Sequence, residues 1–305
     1  MELSLNRREE IQELTSQWRG ERFEDGRPKV SDQLLEKIRK MTLEEVWLPL
    51  YVMGYQFQFE GELKRLHAKE KMVGRAVTCT FVPTRPDLFQ ATKAYGSKRG
   101  WTGTCNQWVV DSLTESDVVV ADMYDKIYNG TFVGGNLTTA IKSRTGNGGA
   151  VIWGGVRDIE QMKKIEGIQV CYRGVDPTPI RECVMAGFNG VTRIGNAVCL
   201  PGDVVFSTES GVLFIPSHMV EIVVNEANKS HAKDIFGFEM LKQGIYTTAE
   251  IDSTIWSMEM LDKMEVFLNQ YQQNKEYQGL DWSLEKSAAL GKPDAVAEIM
   301  KRCLE

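Results

Sequence analysis

Four short apolar runs set the strongest constraint on how this chain folds. Asp117–Asp122 (DVVVAD), Gly149–Trp153 (GAVIW) and Gln169–Tyr172 (QVCY) do not alternate apolar with polar residues. A continuous apolar run of this length is the pattern of a strand buried on both faces, as in a parallel sheet covered by helices. The fourth run, Val73–Val82 (VGRAVTCTFV), is rich in β-branched residues and stops at Pro83, which cannot continue a ladder. Helical segments around Thr138–Arg144 and Asp158–Ile165 fall between these strands. Short apolar strands alternating with helices predict an α/β core.

After Gly187 the runs shorten. Gly190–Gly195, Ala197–Cys199, Asp203–Phe206 and Gly211–Pro216 read as strands joined by tight turns, an antiparallel β meander. Ser217 then stands as the cap of a long helix carrying Val220, Ile222 and Val223. Towards the C-terminus Ile255, Met258, Leu261, Met264, Phe267, Leu268 and Tyr271 share one helical face. Residues 1–70 read as amphipathic helix: Ser31-Asp32 precedes Leu34, Leu35 and Ile38, and Thr42 with Glu45 fits a capping box. Such helices either pack on a neighbouring subunit or wrap the core. The expected organisation is an N-terminal helical arm (1–70), an α/β core (71–225) and a C-terminal helical extension (226–305).

Composition excludes several function classes. The chain has 305 residues, with 36 Lys+Arg against 42 Asp+Glu and no basic block, so nucleic acid is not expected as its partner. No run approaches the roughly 18 apolar residues of a membrane span, and the N-terminus has no signal-peptide core. A cytoplasmic protein with no membrane partner is expected. Cys79, Cys105, Cys171, Cys183, Cys199 and Cys303 lie at long, irregular spacings with no C-x-x-C pair, and read as free thiols. His67, His218 and His231 stand apart, so no histidine-based zinc site is encoded. Neither G-x-S-x-G nor G-x-x-x-x-G-K-[ST] occurs, and no glycine-rich adenosylmethionine loop is present.

The stretch Val133–Asp158 (VGGNLTTAIKSRTGNGGAVIWGGVRD) carries the chemistry. Gly134-Gly135-Asn136-Leu137 leads into a helix whose first amides point outward and suit a carboxylate. Arg157 and Asp158 follow the strand ending Gly154-Gly155, at the carboxyl end where α/β sheets gather ligands. There the guanidinium suits a carboxylic or keto-acid group, and the carboxylate suits a hard cation. An adjacent Arg-Asp pair is also compatible with two solvated surface charges.

These motifs resemble the RraA-like family, which contains regulators of RNase E activity and class II 4-hydroxy-4-methyl-2-oxoglutarate aldolases. The resemblance rests on Gly134-Gly135-Asn136-Leu137, the Gly-Gly-Val-Arg-Asp ending, Gly174–Pro179 (GVDPTP), Pro201–Val205, Gly211–Pro216 and the strand from Met72. It covers roughly residues 70–225. It implies a compact α/β/α core with a β meander (the swivelling-domain type), flanked by helical extensions. A homotrimer or dimer of trimers with sites at subunit interfaces follows from it too. It further implies a metal-dependent aldolase: Asp158 would hold Mg²⁺ or Mn²⁺, Arg157 would bind and stabilise the pyruvyl part, and the amides of 134–137 would hold the carboxylate of a 2-oxo acid. Such a carbon-carbon lyase would also decarboxylate oxaloacetate through the same enolate, without a Schiff-base lysine. The RNase-inhibiting members imply one alternative, a non-catalytic ring-shaped protein-binding regulator; another keeps the metal-enolate chemistry for a lyase or dehydratase of a sugar acid, with Trp256 and Trp282 of the tail reshaping the pocket. One family feature is missing: the glycine segment of the aldolases typically carries an aspartate, and here that position is Gly135 or Asn136. Asp122, Asp125, another subunit or the C-terminal extension would have to supply it.

Overall fold

The structure, a computed structural model, describes residues 5–270 and 277–301. The chain divides into two compact units, Met1–Leu43 with Phe57–Glu221, and Glu44–Gln56 with Ile222–Glu305. Elements are numbered along the chain.

The first unit is a mixed α/β structure built on one large sheet. Its strands are β1 (Phe59–Glu60), β2 (Lys64–Arg65), β3 (Met72–Pro83), β4 (Asp117–Asp122), β5 (Thr131–Val133), β6 (Gly149–Val156), β7 (Gln169–Val175), β8 (Cys183–Phe188), β11 (Val204–Thr208) and β12 (Gly211–Ile215). The order is β1-β12-β11-β3-β4-β6-β7-β2, with β5 beside β6 and β8 beside β3. Neighbours among β3, β4, β6 and β7 run parallel, as do β5 and β6. Every residue of β4 and β6 is buried, as the unbroken apolar runs require.

Alternation along the strands sorts the core onto two faces. Val77, Val119, Ala121, Ala150 and Ile152 pack with Tyr95, Trp108, Val109 and Ile141. The latter belong to α4 (Pro86–Lys98), α5 (Cys105–Asp111) and α6 (Gly135–Thr145), and α7 (Ile159–Met162) adds Met162 to the same cluster. On the other face Ala76, Val118, Val120, Val151 and Trp153 meet Ile194, Ala197 and Cys199 from the ribbon β9 (Thr192–Ile194) and β10 (Ala197–Cys199). The segment read as a meander thus forms two antiparallel hairpins. β9–β10 stands as its own ribbon, while β11–β12 joins the main sheet against β3.

Three local expectations are corrected. Residues 15–31 and 53–70 are not helical: Arg22 and Pro28 form an isolated bridge in the first, and in the second β1 pairs with β12 and β2 with β7, capping opposite edges of the sheet. The helix after Asp158 is a single turn, Ile159–Met162. Ser217 lies in a 3-10 turn (Ser217–Met219), and its own N–H donates to Asp203 Oδ1 (3.3 Å), so it does not cap the helix by its side chain. Ser31 does cap α2 (Asp32–Lys40), accepting from Leu34 N–H. A further short helix, α1 (Arg8–Leu14), precedes it.

The second unit is helical: α3 (Leu43–Val52), which begins one residue before it, α8 (Val220–Lys242), which begins two residues before it, α9 (Thr248–Ile251), α10 (Met258–Gln270), α11 (Ser283–Ala289) and α12 (Pro293–Lys301). Its core gathers Phe236, Leu261, Met264 and Leu268 around Trp256 and Trp282, both only 4% exposed. The two indoles are therefore committed to this unit's own interior. Tyr271 and Cys303 lie outside the described residues. The five other cysteines are free thiols, with Cys79, Cys171 and Cys199 buried. Among the described residues no helix is long and apolar enough to cross a membrane.

Two buried charges anchor the first unit. Arg27 makes a bidentate contact with Asp117 at the start of β4 (Nη1–Oδ1 2.8 Å, Nη2–Oδ2 3.1 Å), with side chains 2% and 0% exposed. Thr114 N–H and Oγ1 also donate to Asp117 Oδ2. Removing one partner of such a pair leaves an uncompensated buried charge, so Arg27→Ala should cost about 3–5 kcal/mol in urea unfolding. Removing both partners should cost less than the sum of the single changes, and strict additivity would contradict the pairing.

Asp203 is buried and accepts from Leu200 N–H (2.8 Å) and Ser217 N–H (3.3 Å). Burial pushes its carboxyl up to about 7 against the pull of those two donors. Unfolded, the group titrates near ~3.9, so between the two values the native chain holds a proton that the unfolded chain has released. Its stabilising effect is thus complete below pH ~4 and lost as pH rises through about 7. Compared with Asp203→Asn, the natural protein should lose stability on the order of a few kcal/mol across that window. Parallel stability–pH profiles for the two would refute this.

Candidate active site

Parallel pairing of β5 with β6 sets Val133 beside Val156, so the chain leaves both strands at one point. Arg157 N–H donates to Val133 O (3.0 Å), which fixes Arg157 next to Gly134 across the strands. Asp158 then turns the chain at φ 58°, in the left-handed region that a non-glycine residue rarely adopts. Its carbonyl accepts from the N–H groups of Gln161 and Met162, making it the N-cap of α7. Its side chain points back across the strands, where Oδ2 accepts from Gly135 N–H (3.2 Å). The Arg157 guanidinium lies 3.7 Å from the same oxygen.

This closeness accounts for Gly134. Its φ of −140° is open to any residue, so backbone freedom is not the reason. A Cβ there would stand 2.3 Å from Asp158 Oδ2 and 2.9 Å from Arg157 Cγ. Position 135 differs: a Cβ would meet Gln161 Oε1 at 2.5 Å, the movable end of a flexible side chain.

The structure therefore brings Gly134, Gly135, Arg157 and Asp158 together, with Asn136 and Leu137 in the first turn of α6 directly after them. Asn136 is exposed, and Leu137 packs partly against the core. Gly135 gives its amide to Asp158, so the open first-turn amides are those of Asn136 and Leu137. Side chains of Arg157 and Asp158 are 41% and 32% exposed. Their mutual attraction is accordingly weak, and both remain available to a ligand.

The two acids considered as substitutes for the family aspartate sit elsewhere. Asp122 is in register with Trp153, and Asp125 N–H donates to Trp153 O. Trp153 precedes Arg157 by four residues, roughly 13 Å down a strand. Asp122 follows the alternation of Val118 and Val120 onto the ribbon face, where Arg193 approaches to 3.7 Å and burial raises its carboxyl. Asp125 is engaged by Arg173 Nε at 3.0 Å. Gln161 is the neighbour that sequence reading missed. Its side chain fills the space that a side chain on residue 135 would take, and its only sequence signal is the spacing of three from Asp158.

Among the described residues, no group of three or more His, Cys, Asp or Glu side chains is placed to hold a metal. That donor set does not suit structural or catalytic zinc, which takes three or four side-chain ligands. A single hard carboxylate with open surroundings does fit Mg²⁺ or Mn²⁺, which keep several waters and share substrate oxygens.

A family model described as RraA-like (Aldolase/RraA) matches residues 28–214, well over half of the chain. Protein DlpA of Legionella pneumophila is 27% identical over 170 residues, 54% of this chain and 24% of DlpA. The aligned part thus spans about a quarter of that relative's length. RraAS2 of Streptomyces coelicolor, an unusual member of the RNase ES inhibitor RraA protein family, matches at TM-score 0.59 and 20% identity over 69% of this chain and 97% of its own. An uncharacterised protein from Pseudomonas syringae pv. tomato matches at TM-score 0.60 and 17% identity, over 73% and 94% respectively. At these identities the structural likeness concerns the fold. With the family model matched across the parallel sheet and the Gly134–Asp158 corner, the chain belongs to the RraA-like family, which includes both aldolases and RNase E regulators.

Proposed function

We propose that the first unit is a divalent-metal-dependent class II lyase that cleaves a 4-hydroxy-2-oxo acid to pyruvate and a carbonyl product. The carrying observation is the corner in which Asp158 and Arg157 meet Gly134 and Gly135. It joins one hard oxygen donor, one exposed guanidinium and the open amides of Asn136 and Leu137 at the carboxyl edge of a parallel sheet.

Each group has a role in this reading. Arg157 clamps the C1 carboxylate of the substrate through paired N–H donors. The amides of Asn136 and Leu137, at the positive end of α6, orient the same anionic end. Asp158 holds the cation, Mg²⁺ or Mn²⁺, which when bound supplies Lewis acidity where charge develops on the 2-oxo oxygen. As the C3–C4 bond breaks, its electron pair passes to C3 and the enolate of pyruvate forms beside Arg157, which stabilises the new charge. The 4-hydroxyl proton goes to water, which Asn136 can hydrogen-bond but whose proton it cannot take at neutral pH, and water returns a proton to C3 of the enolate to give pyruvate. Oxaloacetate would lose CO₂ through the same enolate. A homotrimeric or larger assembly belongs to this reading as an expectation.

Protein stripped with EDTA should release pyruvate from 4-hydroxy-4-methyl-2-oxoglutarate and from oxaloacetate only after Mg²⁺ or Mn²⁺ is restored. Asp158→Ala should lower turnover by about 100-fold or more, as loss of a transition-state electrostatic partner does, while the variant still folds cooperatively. Wild-type rates in that variant would overturn the assignment. Gly134→Ala, whose Cβ displaces the Asp158 carboxylate, should lose activity nearly as far. Gly135→Ala needs only the end of Gln161 to move, and should keep most of it. Equal losses in both glycine variants would show that the Gly134–Asp158 contact does not matter to activity. Neither metal binding nor pyruvate release would favour a protein-binding regulator instead.

A further inference from the structure

The first unit also carries a cleft of about 950 Å³ that Arg157 and Asp158 do not line. It opens beyond the carboxyl ends of β3 and β4 and is walled by α4, α5 and the start of β8. This volume lies at the upper end of what small-molecule sites enclose. Four aromatic side chains, Phe81, Phe89, Trp108 and Tyr124, line it. Phe81 and Trp108 are buried, whereas Phe89 on α4 is 42% exposed.

Charge around the cleft is unbalanced. Lys93, Lys126 and Arg181 line it against a single carboxylate, Glu182. Glu182 is already occupied: Lys126 Nζ approaches to 3.0 Å and Asn129 Nδ2 donates at 3.1 Å. Those two partners, Lys126 foremost, hold its carboxyl below the usual range. Lys93 and Arg181 make no ion pair among the described residues. Two unpaired cations therefore border an aromatic wall, while Glu182 and Lys126 offset one another. The wall also holds Tyr124 (φ 44°) and Glu182 (φ 55°) in the left-handed region, a cost that proteins tend to retain at binding sites.

We propose that this cleft binds an aromatic carboxylate, its ring system against Phe89 and Trp108 and its carboxylate on Arg181 and Lys93. The rings supply area and the guanidinium supplies a bidentate match to the planar anion. This site is independent of the lyase reading and stands or falls separately from it.

Calorimetric titration of the full chain with 2-naphthoate, and with neutral 2-naphthalenemethanol as comparator, tests the proposal. Naphthoate should bind, and the alcohol should bind at least about tenfold more weakly, the usual worth of a charge-assisted contact. Arg181→Ala should weaken naphthoate about tenfold, and Lys93→Ala less. The melting temperature of Arg181→Ala should not change, because the side chain has no ion-pair partner to lose. Arg157→Ala should leave naphthoate affinity as it was. No binding at millimolar naphthoate would overturn the proposal. Equal affinity for the alcohol would overturn it too, since the cations would then contribute nothing. Loss of affinity in Arg157→Ala but not in Arg181→Ala would place the ligand at the other corner and equally refute the cleft.

Discussion

Parallel pairing of β4, β6 and β7 in a layer covered on both faces is the constraint on which the first unit depends. Strands in this arrangement cannot be joined by tight turns, so each connection must cross a face, and α6 and α7 are two of those crossings. Burying both faces removes apolar surface from water at each position, worth about 1.5–3 kcal/mol for a fully buried Val, Leu or Ile. The same pairing sends the parallel strands out at one edge. Arg157 and Asp158 are placed there because β6 ends there, and Gly134 meets them because β5 ends beside it.

Stability and the candidate chemistry are carried by different residues. Arg27 and Asp117 are almost wholly buried and tie the N-terminal segment to the entrance of β4, at the opposite end of that strand from the ligand edge. Arg157 and Asp158 are substantially exposed and contribute little to holding the fold. The exception at the corner is Gly134, where the spacing between two strand exits leaves no room for a side chain. Asp158 holds a left-handed backbone there, an unfavourable conformation sustained by the α7 turn and by Gly135 N–H.

Much of this core was legible from the residues. The apolar run DVVVAD and the observed β4 have the same bounds, because a strand buried on both faces has no polar positions to blur its ends. The helix after Gly134-Gly135 and the Arg-Asp pair at a strand end were legible for a similar reason: glycines and charges interrupt an apolar pattern. The edge strands were not. β1 and β2 are two residues long, too short for any periodicity, and they exist only because β12 and β7 offer open ladders. The short α7 was over-read, since its amphipathic pattern continues past Met162 while the chain turns away. Nor could the sequence place Asp122 and Asp125, whose distance from the pair depends on the β4–β6 register.

The glycine and Val-Arg-Asp motifs, by their resemblance, pointed to the family and to the Arg157–Asp158 pair; local patterning by itself determined the core strands, the main helices and the α/β class. These follow from side-chain periodicity and from residue types that tolerate few alternatives. Tertiary structure decided which residues share a site. Gly134 and Asp158 are 24 residues apart in the chain, and the reason for that glycine appears only when β5 and β6 lie side by side. The cleft of Phe89, Trp108 and Arg181 likewise draws on α4, α5 and the β7–β8 connection. Proximity between such distant segments depends on strand order and register, and those are set by how the whole sheet packs.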